Sequence, residues 1–401
     1  MRIMFAVPSY WPSQDGVAFI TKYLAEGLAG RNHEVLIYTS AGNGGLQVLP
    51  EKECHGGVSI ERTRVYVRWP LRLKGRDRKS TRRRYFERIC RYAPDVLVVV
   101  CAQTWTLDWV IPYLDKLSCV KVFYSHGYSH LAKQDQIWEQ LRHRNLLGAY
   151  ENWKIRRYYR KLYRDLEKFD LAIYLSELNN AYLYSREHRL ANGKVLENAI
   201  EDTFFESKVK HEYKECGKES IDYLFVANYS ENKNHRMAID AFAKAKIGRS
   251  NLIFAGFESN PYLESLQNYS SRQLAKCTDK KVVYNVHLER EQIIALYKNA
   301  DVFVCPSKSE TWSIVAHEAA AAAVPIISTD VGIYSEIEGA VIVHSVEEMK
   351  EAMELLYYDF EARKSHGEAA YRWLNTKGCR VKDKVDWLEE ELTKLCEKRK
   401  K

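Results

Sequence analysis

Two glutamates, Glu310 and Glu318, stand eight positions apart in the run Pro306-Ser307-Lys308-Ser309-Glu310-Thr311-Trp312-Ser313-Ile314-Val315-Ala316-His317-Glu318-Ala319-Ala320. The run reads as a strand-to-helix turn with the helix beginning near Ser313. The first backbone N–H groups of such a helix lack intrahelical acceptors, and the helix dipole adds positive potential, so that end suits a diphosphate. Glu318, one or two turns in, can then reach ribose hydroxyls. Glu310, ahead of the turn, can accept hydrogen bonds from a sugar. An ordinary capped helix with a solvated glutamate fits the same pattern, so the pair needs a scaffold to give it meaning.

That scaffold is legible as alternating short apolar runs and helical patterns. Ile3–Pro8, an amphipathic stretch over 18–30 and Glu34–Thr39 form a strand-helix-strand unit, the pattern of a parallel sheet. Further runs at 95–101, 121–125, 171–176 and 194–196 continue one doubly wound domain. The pattern dissolves between about Glu201 and Ser220, where a polar linker is expected. It resumes at 223–226, 252–255, 281–284, 302–305, 325–328 and 341–343, which reads as a second doubly wound domain. The expected division is 1–205, 206–380, and a C-terminal helix with a basic tail over 381–401 that packs back toward the first domain. A chain of 401 residues is long for one core and comfortable for two.

Around Glu310 and Glu318 the sequence resembles the retaining glycosyltransferases of family 4, the glycosyl transferases group 1, whose Glu-x7-Glu motif these two residues match. Val324-Pro325-Ile326-Ile327 and Thr329-Asp330-Val331-Gly332 are similar to the family's proline-led strand and glycine loop. The resemblance implies the α/β GT-B fold, two Rossmann-like domains facing a cleft. It also implies a hexosyltransferase-type enzyme that needs no metal or other cofactor. Where the family usually has Gly-Phe-Gly this chain has Thr311-Trp312-Ser313, so Thr311, Trp312, Ser313 and Ile314 are expected to meet the nucleotide sugar through backbone N–H groups, in a narrower and more polar sugar pocket. At Phe225-Val226-Ala227-Asn228-Tyr229-Ser230-Glu231-Asn232-Lys233-Asn234 the family sets an Arg and, five residues on, a Lys against the donor diphosphate. Lys233 matches and is the implied electrostatic catalyst, whereas Asn228 stands in the Arg position. Gly16, in Ser13-Gln14-Asp15-Gly16-Val17, keeps one of two usual glycines, the first being Asp15 here. His126, in Ser125-His126-Gly127, matches the histidine that contacts the transferred sugar. His287 falls where the base is read largely through backbone groups. His126, Lys233 and Glu310 are thus the implied catalytic residues. Gly16, Asn228, Lys233, His287, 311–314 and Glu318 are the implied binding residues. The implied mechanism is front-face displacement, in which the departing diphosphate takes the acceptor's proton.

Charge bears on the acceptor. Residues 1–200 carry 32 Lys and Arg against 20 Asp and Glu, while residues 201–401 carry 29 against 33. Two basic, aromatic stretches, 68–84 and 153–164, lie in the acceptor half. They suit an anionic bilayer, at about 1 kcal/mol per basic residue near the surface, or form a solvated basic face. The expected partners are a nucleotide-sugar donor (UDP favoured over GDP), a glycan or lipid-linked saccharide acceptor, and an anionic membrane surface, with no nucleic acid. No apolar run reaches membrane-spanning length, and the opening run stops at Pro8, so a cytoplasmic protein, peripheral on the inner face of the membrane, is expected. Nine scattered cysteines form no Cys-x-x-Cys pair, and neither Asp-x-Asp nor Gly-x-Gly-x-x-Gly occurs. A nucleotide-sugar epimerase or sugar phosphorylase of the same fold remains open and would show as epimerised donor without acceptor or as phosphate dependence. A non-catalytic basic protein that binds nucleic acid or membrane is the reading from outside enzymology.

Overall fold

The computed structural model describes residues 1–13, 15–41, 49–63, 65–68, 72–74, 78–208, 220–310 and 312–400. The chain divides into two compact units, Met1–Ala199 with Val381–Lys401, and Ile200–Arg380.

The first unit's strands are β1 Arg2–Ala6, β2 Glu34–Ser40, β3 Lys52–His55, β4 Val58–Thr63, β5 Tyr66–Arg68, β6 Arg72–Lys74, β7 Val96–Val100, β8 Val120–Tyr124, β9 Leu171–Tyr174 and β10 Gly193–Val195. Among the described residues, eight of them form one sheet in the order β10-β9-β8-β7-β1-β2-β4-β3. Every pairing in it is parallel except β3 with β4, and β5 pairs with β6 apart from it. The central strands β1 and β7 are almost wholly apolar and buried, as a parallel sheet covered on both faces requires. The sheet order reverses between β1 and β7, so the loops leaving their carboxyl ends diverge and open a crevice.

The helix Val381–Lys400 completes this unit rather than the one that precedes it in sequence. Its Val385 sits where any side chain at Gly27 would strike it. Arg31 reaches Asp386 and Glu389, and His33 Nε2 lies 2.7 Å from Glu389 Oε1.

The second unit holds β11 Ile221–Val226, β12 Ser250–Gly256, β13 Lys280–Val286, β14 Val302–Cys305, β15 Ile326–Thr329 and β16 Val341–Val343. They form a wholly parallel sheet in the order β13-β12-β11-β14-β15-β16, with the reversal between β11 and β14. The polar stretch expected as a linker opens with a helix, Asp202–Lys208, whose Phe204 and Phe205 belong to this unit's core. The chain passes between units at 199–200 and 380–381 instead. The two passes lie side by side, with the Ile200 N–H donating to the Cys379 carbonyl at 2.7 Å. Inside the same core, His235 is fully buried among Phe225, Tyr229, Phe254 and Tyr262, at ring distances of 5.0 to 5.9 Å.

Candidate functional site

In the second unit, the loops after β11 and β14 are laced together at the reversal point. The Lys308 N–H donates to the Asn232 carbonyl at 2.8 Å, and the Asn232 side-chain amide to the Ser309 carbonyl at 2.9 Å. This lacing brings Lys233 and Glu310, 77 residues apart in sequence, into a two-pronged pair: Lys233 Nζ lies 2.7 Å from Oε1 and 2.9 Å from Oε2. Side-chain exposure is 25% for Lys233 and 10% for Glu310, so water screens the pair only in part. An ammonium has three N–H donors, and Glu310 takes two, which leaves one for a further anion. Gly332, with φ of 57°, backs the pair; a Cβ there would come within 3.0 Å of Glu310 Cβ.

The following helix is Ile314–Ala321. Ser313 stands in its capping position at φ of 98°, a backbone that glycine adopts easily and serine does not. Its hydroxyl makes no capping bond and instead lies 2.8 Å from the Tyr334 hydroxyl. The first N–H groups of the helix are therefore left without a side-chain cap, open to an outside acceptor. The Trp312 ring is turned into the unit's interior rather than toward solvent. It is 3% exposed and stacks on His317 at 3.7 Å, so its backbone alone is available to a ligand. Thr311 lies outside the described residues.

Glu318 is 1% exposed and is held by Arg290, whose Nη2 lies 2.7 Å from Oε1. The same guanidinium donates from Nε to Glu201 at 2.8 Å and covers the Phe204 ring. Burial, and then the Glu318 charge, pushes the Tyr297 phenol well above its ordinary range. The Glu-x7-Glu pair therefore splits into a carboxylate on a lysine and a carboxylate on an arginine. Asn228 and His287 are both exposed; His287 has φ of 53° and donates its backbone N–H to the Phe257 carbonyl.

In the first unit, the residues at the β1/β7 reversal are Asp15, Gly16, Cys101 and His126. Arg62 is fully buried at its guanidinium end and fixes the loop after β1 by donating to the Trp11 carbonyl at 2.7 Å. Asp15 caps the helix Gly16–Ala29 through the Ala18 N–H at 2.9 Å. Gly16 therefore begins a helix whose cap is a carboxylate, which disfavours a phosphate directly at that end. His126 follows β8 in a turn pinned by the Gly127 N–H donating to Ser125 Oγ. Its ring leans on Tyr124 at 4.6 Å, and its Nε2 is buried with no hydrogen-bond partner. Burial lowers its pKa to about 4, with the Asp15 charge opposing the shift. The imidazole is thus neutral at ordinary pH and can accept or donate a hydrogen bond to a hydroxyl without introducing charge. Cys101 shares this corner at φ of 68°; burial and the Asp15 charge both raise its thiol pKa.

Sequence reasoning did not single out Arg290, Tyr334 or Cys101. Arg290 opens a helix at a charged turn and looks solvated; Tyr334 and Cys101 stand in runs without a motif. Of the basic stretch 68–84, residues 69–71 and 75–77 and the side chains through Lys79 lie outside the described residues. Among the described residues no helix is long and apolar enough to cross a membrane.

Comparison with known proteins gives this arrangement a family. The profile of the Glycosyl transferases group 1 matches residues 207–373, and that of Glycosyltransferase Family 4 matches residues 14–200. An uncharacterised glycosyltransferase of Methanocaldococcus jannaschii is 26% identical over 363 residues, covering 84% of this chain and 82% of that protein. The fold is shared with sucrose-phosphate synthase from Thermosynechococcus elongatus, at a TM-score of 0.72 and 14% identity over 98% of this chain and 99% of that one. It is shared too with HepE from Anabaena in complex with UDP, at 0.70 and 15% over 98% and 100%. The E. coli trehalose-6-phosphate protein bound with UDP-2-fluoro glucose gives 0.66 and 15% over 98% and 99%. With both of its units matched in turn, the chain belongs to the group 1, family 4 glycosyltransferases of GT-B fold and is an enzyme of that class.

Proposed function

We propose that the enzyme moves a hexose from a nucleotide diphosphate sugar, with UDP preferred and GDP second, to a glycan or lipid-linked saccharide, with retention at the anomeric carbon and without a metal. The observation that carries the reading is the Lys233–Glu310 pair beside the uncapped start of the helix Ile314–Ala321, where the second sheet reverses. In this reading the diphosphate takes the free N–H of Lys233 and the helix N–H groups. Glu310 accepts from sugar hydroxyls, Glu318, oriented by Arg290, accepts from the ribose, and neutral His126 accepts from the transferred sugar. The acceptor oxygen bonds to the anomeric carbon as the bond to the diphosphate breaks, and a diphosphate oxygen receives the acceptor's proton. Lys233 and the helix dipole stabilise the negative charge that develops on the leaving group, the role a metal would otherwise fill. HepE in complex with UDP, and the E. coli protein with a fluorinated UDP-glucose, support uridine as the first base to try. The acceptor is proposed to lie in surface polysaccharide or glycolipid synthesis, with the stretches 68–84 and 153–164 resting on the inner face of an anionic membrane.

The test is a thermal-shift panel of UDP, GDP, ADP, their sugar conjugates and NAD, on wild type and Glu318→Ala. One nucleotide family that stabilises wild type, with the effect reduced in the variant, is the expected result. A shift with NAD alone, or with none of the nucleotides, would sink the donor assignment.

A further inference from the structure

The first unit also carries an apolar patch that its own core does not use. The helices Ile137–Arg142 and Leu146–Leu166 meet in a tight corner. There Asn145 accepts from the Gly148 N–H at 2.9 Å and donates to Gln140 Oε1 at 2.7 Å. The corner exposes Trp138 at 75%, Leu146 at 71%, Leu147 at 80% and Tyr150 at 56%, with Leu141 and Trp153 beside them. The inner face of the longer helix is spent on the core through Ala149, Tyr159, Leu162 and Leu166. Its outer stripe, at helical spacing, runs Leu146, Tyr150, Trp153, Arg157, Lys161, Arg164, so apolar side chains fill its first turns and cations the rest.

The cationic end is a surface hollow of about 790 Å³ walled by Arg156, Arg157, Arg160, Lys161 and Arg164. Among the described residues no carboxylate forms a salt bridge with Arg156, Arg157 or Arg160, and Lys161 feels Asp165 only at a distance beyond a salt bridge. From 137 to 164 there are eight Lys and Arg against two acids, and one of those acids, Glu151, already holds Lys154. A contiguous exposed group of tryptophan, leucine and tyrosine marks an interaction surface. The lengthwise order of apolar then cationic matches the depth profile of a bilayer, acyl chain below and phosphate above.

We propose that this corner inserts into an anionic phospholipid bilayer, with Trp138, Leu146, Leu147 and Tyr150 below the headgroups and Arg157, Arg160 and Lys161 on the phosphates. The proposal rests on the membrane part of the reading above and adds insertion to it. Attraction by charge alone is screened by salt, whereas buried apolar surface is not.

Sedimentation with sucrose-loaded vesicles of phosphatidylcholine, with and without phosphatidylglycerol, separates the two. In about 0.1 M and about 0.5 M NaCl, wild type is expected to bind the anionic vesicles and to keep a measurable bound fraction at the higher salt. Leu146→Ser/Leu147→Ser should lower the high-salt partition coefficient about tenfold or more. Arg157→Glu/Lys161→Glu should act mainly at low salt. Both leucines are exposed, so melting temperatures of wild type and variant should agree. Binding abolished by salt and indifferent to the leucines would overturn insertion while leaving the charge-driven reading standing. Equal binding to neutral vesicles would overturn the role of the cations. No vesicle binding at all would overturn both, and a self-association lost in the leucine variant would then make the patch a contact between copies.

Discussion

Lys233 and Glu310 should respond in opposite directions when each is neutralised. The pair shares two contacts of 2.7 and 2.9 Å, and the ammonium keeps one donor for the diphosphate. Lys233→Met removes a charge-assisted hydrogen bond to the ligand, worth about 2 kcal/mol, which raises Kd about 30-fold. At a UDP concentration that stabilises wild type by about 2.7 kcal/mol, 100 times its Kd, the variant should gain only about 0.9 kcal/mol. The unliganded variant should also lose about 3 kcal/mol, because the carboxylate left behind is 10% exposed and has lost its partner. Glu310→Gln keeps the lysine and frees its remaining donors. UDP should then stabilise the variant at least as well as wild type, while the margin by which a UDP-sugar outdoes UDP should shrink. Denaturant unfolding with and without UDP, backed by calorimetric titration, reads both quantities. The reasoning fails if Lys233→Met leaves the UDP effect intact, or if the two substitutions weaken UDP equally.

Other consequences follow from groups held in unusual states. His235 has no hydrogen-bond partner, and burial lowers its pKa to about 3, so the folded ring stays neutral while the unfolded ring gains a proton below its ordinary 6.5. Stability should be indifferent to this group above neutrality and fall by about 2 kcal/mol between about pH 7 and 5; His235→Phe should flatten that part of the pH profile, and an unchanged slope would refute the assignment. Ser313→Gly relieves a backbone held at φ of 98° but loses the contact with Tyr334, and a net gain of about 1 kcal/mol, seen as a raised Tm, is expected. Arg290→Met strips the partner from buried Glu318 and should cost about 3 kcal/mol in urea unfolding, with Arg290→Met/Glu318→Leu recovering much of it.

The parts of this fold that could be read in the sequence are the strands built from short apolar runs, central or at a sheet edge. Val302–Cys305 and Val341–Val343 carry the same bounds in sequence and structure, and Val96–Val100 falls one residue inside its expected run at each end. The edge hairpin β3–β4 was not legible, because Lys52-Glu53-Cys54-His55 is half solvated and offers no apolar alternation. The helix Asp202–Lys208 was hidden for the opposite reason. Among its described side chains two adjacent phenylalanines anchor it to the core, too few to show a period. At the site, the resemblance pointed to Glu310, Glu318 and Lys233, but no spacing rule foretells that Lys233 meets Glu310 while Glu318 meets Arg290. Such pairings arise from loops on different strands and are set by the sheet order.

The return of Val381–Lys400 to the first unit sets an order of events during synthesis. Domains commonly fold as they leave the ribosome, the N-terminal one first. Here the helix that covers Gly27, Arg31 and His33 follows the whole of residues 200–380 in sequence, so the first unit is completed only after the second has been synthesised. The first half must wait with that face bare until residues 381–400 have emerged to cover it. A nascent chain ending at residue 380 and held clear of the ribosome by a flexible linker should therefore present a protease-resistant second unit joined to an unfinished first one, the reverse of the usual N-to-C sequence.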